Sequence, residues 1–277
     1  MVEADIQSFF DSVDHDTLVD LIRQRVPDGA LLRLIGKGLK AGILDGEELS
    51  EPGMGTPQGS ILSPLLANIY LHQVLDVWFE QEVKPRMRGK AHLVRYADDF
   101  VMCFERRDDA ERVLAVLSKR MAKFGLKLHP DKTRLVCFER PARRQQHGKG
   151  PDSFDFLGFT IHWRRSIKGH WVPAFKTSGK RLRKAMDAIT DYCRGHRHLS
   201  VTEQHAGLVR RLTGWFNYFG VNGNCRSLQQ VRHHTARVWH KWLTRRSQRS
   251  RLNWARFQDF LQAYPLPPVR VYAPLWS

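Results

Sequence analysis

Between Leu93 and Phe104 the chain is almost continuously apolar and β-prone, and two acids, Asp98 and Asp99, stand in the middle of the run. Such a ribbon folds as a hairpin with Ala97-Asp98-Asp99 at its tip, which lets both apolar arms pair. A third carboxylate, Asp5, ends a short β-prone stretch just before Phe9-Phe10. Acids among aromatic strand residues lower stability unless something offsets their burial. A divalent cation can do so, because hard Mg²⁺ takes oxygen ligands and shares them with substrate phosphates. Two such ions about 4 Å apart clamp the attacking and leaving oxygens of an in-line phosphoryl displacement. Consecutive strand residues point to opposite faces. Asp5 and Asp98 are therefore the first choices for bridging both ions, with Asp99 in a looser role. Asp98-Asp99 also suits an ordinary β-turn, where Asp is common.

Along the chain, residues 2–10 read as a strand, and Asp14 as the N-cap of a helix from His15 to Val26 that ends at Pro27-Asp28-Gly29. A Gly/Pro loop, 53–60, precedes a long buried helix from about Ser63 to Pro85. Residues 108–124 carry apolar side chains on one helical face, with Gly125 as C-cap. Strands are expected at 126–128, 135–138 and 154–163, and helices at 179–194, 201–219, 226–246 and 254–263. The polar stretch 140–152 reads as an exposed basic loop. The fold class is thus α+β in the first part and nearly all α in the last hundred residues. The domains are expected at 1–175 and 176–277.

Composition sharpens this division. Residues 1–140 hold 20 Lys+Arg and 22 Asp+Glu, whereas residues 141–277 hold 25 and 6, so the whole net charge of +17 comes from the second part. Seven of the eight tryptophans lie there too. Arginine interleaved with large aromatics is the footprint of nucleic-acid binding, although a solvated basic surface or one meeting anionic lipid has the same composition. Arg210, Arg211, Arg237, Lys241, Arg245 and Arg246 are the candidate RNA contacts, since they recur around helices whose other faces carry Leu212, Trp215, Phe216, Trp239 and Trp242. The tryptophans read mainly as core. Without an 18-residue apolar run or a signal-peptide layout, the chain reads as soluble and cytosolic with no membrane partner. Four widely spaced cysteines read as reduced thiols.

Five ordered blocks resemble the palm of reverse transcriptases: Val2-Glu3-Ala4-Asp5-Ile6-Gln7-Ser8-Phe9-Phe10-Asp11, Gly55-Thr56-Pro57-Gln58-Gly59-Ser60-Ile61-Leu62-Ser63-Pro64-Leu65, Arg95-Tyr96-Ala97-Asp98-Asp99-Phe100, Gly125-Leu126-Lys127-Leu128 with Lys132-Thr133, and Phe156-Leu157-Gly158-Phe159. Gly214-Trp215-Phe216-Asn217-Tyr218-Phe219 and the Arg-rich helix to Arg246 are similar to the thumb and maturase region of group II intron-encoded proteins. The resemblance implies an RNA-directed DNA polymerase with splicing assistance, working with two Mg²⁺ ions on dNTPs, an RNA template and a DNA primer. Intron RNA is the implied partner and a cytoplasmic ribonucleoprotein the implied setting. It makes Asp5, Asp98 and Asp99 the catalytic acids, with the Ile6 carbonyl as a further metal ligand. It puts Phe10 under the sugar of the incoming nucleotide, Gln58, Gly59 and Lys132 beside that nucleotide, and Phe156, Leu157 and Gly158 in the primer grip. Each also has a plainer structural reading: Phe10 as core aromatic, the Gln58-Gly59 loop as a tight turn, Lys132 as solvated and 156–158 as buried strand.

The family carries basic finger motifs ahead of the block that begins here at Val2. The chain thus reads as lacking fingers, with a finger fragment in trans or a homodimer left open as partner. Polymerisation by the chain alone is therefore in doubt. The rival readings are a non-catalytic RNA-binding maturase remnant and a retron-type enzyme.

Overall fold

The structure, a computed structural model, describes residues 1–40, 43–45, 48–50, 62–142, 152–246 and 252–273. They fall into two compact units, Met1–Phe138 and Glu139–Ser277. The break lies well before the expected 175/176, so by compactness the strands at 154–177 go with the helices that follow them. The Gly55–Ser60 loop and most of the 140–152 stretch lie outside the described residues.

In the first unit, β1 (Val2–Ala4) and β2 (Ile6–Gln7) lead into α1 (Phe9–Ser12), α2 (His15–Arg23), α3 (Gly29–Lys40) and the short pair β3 (Ile43–Asp45) and β4 (Glu48–Ser50). Asp14 caps α2 as expected, its carboxylate accepting the Thr17 N–H at 2.7 Å. The helix stops at Arg23, ahead of the expected Val26. Asp28, read above as part of a terminator, instead opens α3 by accepting the N–H groups of Ala30 at 2.8 Å and Leu31 at 3.1 Å. The glycines within α3 mask its propensity, so it has no counterpart among the predicted elements.

The expected helix from Ser63 begins as α4 (Ser63–Leu71) and widens into π-helical turns at His72–Val77 and Phe79–Val83. Such turns are rare and often sit at functional sites. Here a cation fills in against the widened helix: Arg120 donates from Nε to the Val74 carbonyl at 3.0 Å and from Nη2 to that of Gln73 at 3.4 Å. Then follow β5 (Ala91–Tyr96), β6 (Asp99–Phe104), α5 (Arg107–Ala122), β7 (Lys127–Leu128) and β8 (Arg134–Leu135). The sheet order is β5-β6-β1-β8, antiparallel throughout. Val2, Ala4, Phe100 and Met102 turn into one core with Tyr70, Leu71, Val74, Leu75 and Phe79 from the long helix and Val113, Leu117 and Met121 from α5.

The second unit holds β9 (Phe154–Phe156), β10 (Phe159–Arg165) and β11 (Trp171–Thr177), then α6 (Gly179–Gly195), α7 (Val201–Phe219), α8 (Cys225–Thr244) and α9 (Trp254–Ala263). Asn224 explains why sheet and helices form one unit. Its buried amide accepts from Thr177 N at 2.8 Å and donates to Thr177 Oγ1 and the Phe219 carbonyl, both at 2.9 Å, joining β11 to the end of α7. Trp239 is fully buried and donates to Gln204 at 3.0 Å. Trp215 and Trp242 are half-buried against the same core, whereas Trp163 and Trp171 are half-buried outside it and Trp254 is exposed, so the expectation that the tryptophans are mainly core holds for Trp239, Trp215 and Trp242. All four cysteines are free, and burial pushes the Cys193 thiol up to about 12. Among the described residues no helix is long and apolar enough to cross a membrane.

Asp109, 1% exposed in the first turn of α5, offers a stability test. It accepts the N–H groups of Arg88 and Gly89, both at 3.0 Å, and pairs with Arg112. Burial opposes its charge, but these donors outweigh it and hold the carboxyl below the usual carboxylate range. A carboxylate with a depressed folded pKa contributes stability above its unfolded value and loses it as pH falls. Asp109→Ala should cost roughly 2–3 kcal/mol of unfolding free energy at neutral pH. In urea titrations the deficit should shrink as pH drops below about 4.

Candidate active site and nucleic-acid surface

The acids are brought to one end of the palm sheet by strand register. Val2 pairs with Met102, Glu3 with Val101 and Ala4 with Phe100. Asp5 directly follows Ala4 and Asp99 directly precedes Phe100, so both stand at the end of this ladder. Tyr96 pairs with Asp99, so Ala97 and Asp98 form a two-residue turn, the hairpin tip that the sequence predicts. Ala97 is held at φ 54°, left-handed backbone that an L side chain adopts at a cost.

On its other side Asp5 meets the segment after β7. His129 N donates to the Asp5 carbonyl at 2.8 Å, and Ile6 pairs with Leu128. Alternation along an antiparallel ladder then aims the Ile6 carbonyl away from β7, the direction a ligand role needs. The Asp5 carboxylate, about one-fifth exposed, forms an ion pair with Lys132. Lys132, expected beside the nucleotide, is thus found on the first acid. His129 Nδ1 and Thr133 Oγ1, in the same segment, are buried polar atoms without a hydrogen-bond partner among the described residues. Neither was a candidate from the sequence, and a lone His before a proline carries no signal there.

Phe9 is core, 3% exposed, while Phe10 is half-buried and meets it edge-on at 5.4 Å. Gln58 and Gly59 lie outside the described residues. The metal expectation is tested by donor chemistry. Asp5, Asp98, Asp99 and the Ile6 carbonyl offer hard oxygens alone, the set that suits Mg²⁺. Among the described residues no three His, Cys, Asp or Glu side chains are gathered closely enough to enclose an ion.

The expected primer-grip residues form a different structure from plain buried strand. Phe156 pairs with Phe159 across a two-residue turn in which Leu157 has φ 50° and Gly158 φ 79°. Positive φ at both central positions is the type I′ requirement. Tyr218 Oη donates to the Leu157 carbonyl at 2.9 Å, Ser178 N donates to that of Gly158 at 2.9 Å, and Phe159 stacks on Tyr218 at 6.0 Å. The turn is therefore locked to the Trp215–Phe219 segment, a linkage that the two sequence blocks give no sign of when read separately.

The basic candidates divide. Arg210 and Arg237 are exposed, with no protein partner among the described residues, and Lys241 and Arg245 flank the Trp242 ring at 5.9 and 5.5 Å, with Arg197 also near at 5.9 Å. Arg211 instead lies 3.8 Å over Tyr192 and donates to the Gly207 carbonyl at 3.1 Å. Arg246 donates to the carbonyls of Arg197 and Leu199. These two guanidiniums are committed within the fold.

An antiparallel palm sheet with acids at a hairpin tip and a basic helical unit after it defines the class. The chain belongs to the reverse transcriptase (RNA-dependent DNA polymerase) family, whose model matches residues 1–161. Among its relatives is the group II intron-encoded protein LtrA of Lactococcus lactis subsp. cremoris, 29% identical over 247 residues that cover 69% of this chain and 38% of the relative. Another is an uncharacterized 91 kDa protein in the cob intron of Schizosaccharomyces pombe, 32% identical and covering 80% of this chain and 25% of that protein. The kinship with group II intron-encoded proteins expected from the ordered blocks is borne out, and the chain spans well under half the length of these relatives. In fold it is similar to apo telomerase from Candida tropicalis, with a TM-score of 0.50 and 13% identity over 95% of this chain and 44% of that one.

The locked turn makes a direct test of the second unit. An added Cβ at Gly158 would meet Arg181 Cγ and Phe219 Cζ, both at 3.4 Å, at a φ that favours glycine. Gly158→Ala should therefore destabilise by about 1–2 kcal/mol, read as a lowered Tm, with Gly214→Ala, where a Cβ meets open space, as the tolerated control.

Proposed function

We propose that the chain is an RNA-directed DNA polymerase of the group II intron type that also binds its intron RNA and assists splicing. The observation that carries this reading is the strand register that leaves Asp5, the Ala97–Asp98 turn and Asp99 at the same end of one sheet. Asp5, Asp98 and Asp99, with the Ile6 carbonyl, would hold two Mg²⁺ ions. The ions would activate the primer hydroxyl and neutralise the departing pyrophosphate.

The protein's own groups position the rest. Lys132 supplies a cation at Asp5 that orients its carboxylate. Phe10 would lie under the sugar and exclude a 2′-hydroxyl. Gln58 and Gly59 would border the nucleotide, and the Phe156–Gly158 turn would steady the primer end. Arg210, Arg237, Lys241 and Arg245 would track phosphates of a folded RNA, with Arg211 and Arg246 shaping the surface that presents them. The finer division into a palm to residue 175 and an RNA-gripping helical part from 176 belongs to this proposal.

Primer extension on a poly(rA) template with Mg²⁺ tests the reading. The 277-residue chain should make cDNA, and Asp98→Asn should reduce synthesis by at least about 10³-fold while RNA affinity stays within about twofold. A chain that binds structured RNA with a steep salt dependence yet makes no cDNA would refute the polymerase reading and leave an RNA-binding protein. In the same assay Phe10→Ala should raise ribonucleotide use relative to deoxynucleotide use; an unchanged ratio sinks the gate role.

A further inference from the structure

We infer that Arg95 is a positioning residue that fixes the acidic turn through the Ala97 carbonyl. The idea rests on the role proposed above for Asp98 and Asp99, but the geometry stands on its own. Arg95 lies on β5, and its side chain is 12% exposed. Its guanidinium forks onto Asp76, with Nε to Oδ1 at 2.7 Å and Nη2 to Oδ2 at 2.6 Å. Nη1 donates both to Asn68 Oδ1 and to the Ala97 carbonyl, each at 2.9 Å.

One planar group thus reaches α4 at Asn68, the π-helical turn at Asp76 and the hairpin tip at Ala97. It uses four of its N–H donors, and only a guanidinium has a rigid fork with enough of them. The carbonyl it holds belongs to a residue in left-handed backbone, immediately before Asp98. Such a conformation persists only where its surroundings over-determine it. The π-helical turn carries Asp76 and Asn68 lies one α-helical stretch before it, so the helix works as an anchor for the turn.

The rival is that Arg95 merely neutralises Asp76, and the double variant Asp76→Asn with Arg95→Gln separates the two. It leaves no stranded charge and roughly keeps side-chain volume, but Gln cannot serve all the acceptors at once. In the full 277-residue chain, hydrogen exchange of the 93–104 peptide should quicken about tenfold at the turn, the fold-change of one lost charge-assisted hydrogen bond. Mn²⁺ affinity, read by electron paramagnetic resonance, should weaken by about the same factor. Exchange in α7 and α8 should not move. Arg95→Lys, which keeps the charge but not the fork, should also quicken exchange at the turn.

Exchange unchanged from wild type in the double variant, or restored by Lys, overturns the inference. So does exchange that quickens throughout the chain. If exchange quickens at the turn while Asp98→Asn leaves Mn²⁺ affinity intact, the metal reading of the acids fails and the positioning role stands.

Discussion

The pairing of β1 with β6 is the constraint on which the acidic site depends. Val2 and Ala4 are 0% and 4% exposed, and their cross-strand partners Met102 and Phe100 are equally deep. A slip of one residue would turn this apolar set toward the open face of the sheet and carry Asp5 away from the hairpin tip. Hydrophobic burial therefore does the positioning: the residues that cannot tolerate water fix the strands, and the carboxylates stand where those strands run out. Between them Glu3 turns to the other face, opposite Val101, and pairs with Arg134 of β8 at 2.8 Å.

Charge is handled differently in the two units. In the first, three acids around the sheet meet cations: Asp5 meets Lys132, Glu3 meets Arg134, and Asp76 meets Arg95 with His72 at 3.3 Å. This matches its near balance of basic and acidic residues. In the second, 25 Lys+Arg accompany only 6 Asp+Glu from residue 141 onward, so beside the Arg194–Asp191 pair several cations find neutral partners. Arg211 takes a carbonyl and a tyrosine ring, Arg246 two carbonyls, and Arg232 the carbonyl of Pro267 at 3.1 Å. Carbonyls and rings orient a guanidinium without cancelling its charge. The resulting field is unneutralised, which is the condition under which a polyanion binds with counterion release.

Much of this was legible in sequence because it follows from periodicity and order. The hairpin at Leu93–Phe104, the Asp14 cap, the four late helices and the ordered blocks all rest on local patterns, and the structure carries them close to where those patterns put them. What was not legible depends on distant partners. The ion pair between Lys132 and Asp5 spans 127 residues, and the bond from Tyr218 to Leu157 spans 61. Nothing around Lys132 distinguishes it from a solvated lysine, and nothing around Asp76 marks it as the partner of Arg95. The widening of the long helix was likewise hidden, because Arg120, which satisfies its carbonyls, lies 46 and 47 residues further on. Nor does the sequence around Asn224 show that its amide ties β11, 47 residues earlier, to the end of α7.

Backbone strain gives the same lesson at finer scale. Among the described residues only Ser8, Ala97 and Leu157 are non-glycine positions with positive φ, and each falls within a block tied to the proposed chemistry. For a residue with a Cβ this costs roughly 1–2 kcal/mol, so three such positions must be held by their surroundings. Each is held at its own carbonyl. Ser8 accepts from Asp11 N at 3.0 Å and Ser12 Oγ at 2.8 Å, Ala97 from Arg95, and Leu157 from Tyr218. Ser, Ala and Leu have no local preference for such backbone, so propensity alone would have placed glycine or asparagine there. At Ala97 and Leu157 the geometry is therefore imposed through side chains outside the turn, and at Ser8 through the helical turn that follows it. Precision is accordingly a tertiary property within each unit: the Ala97 turn depends on α4 and its π-helical extension, and the Leu157 turn on the end of α7.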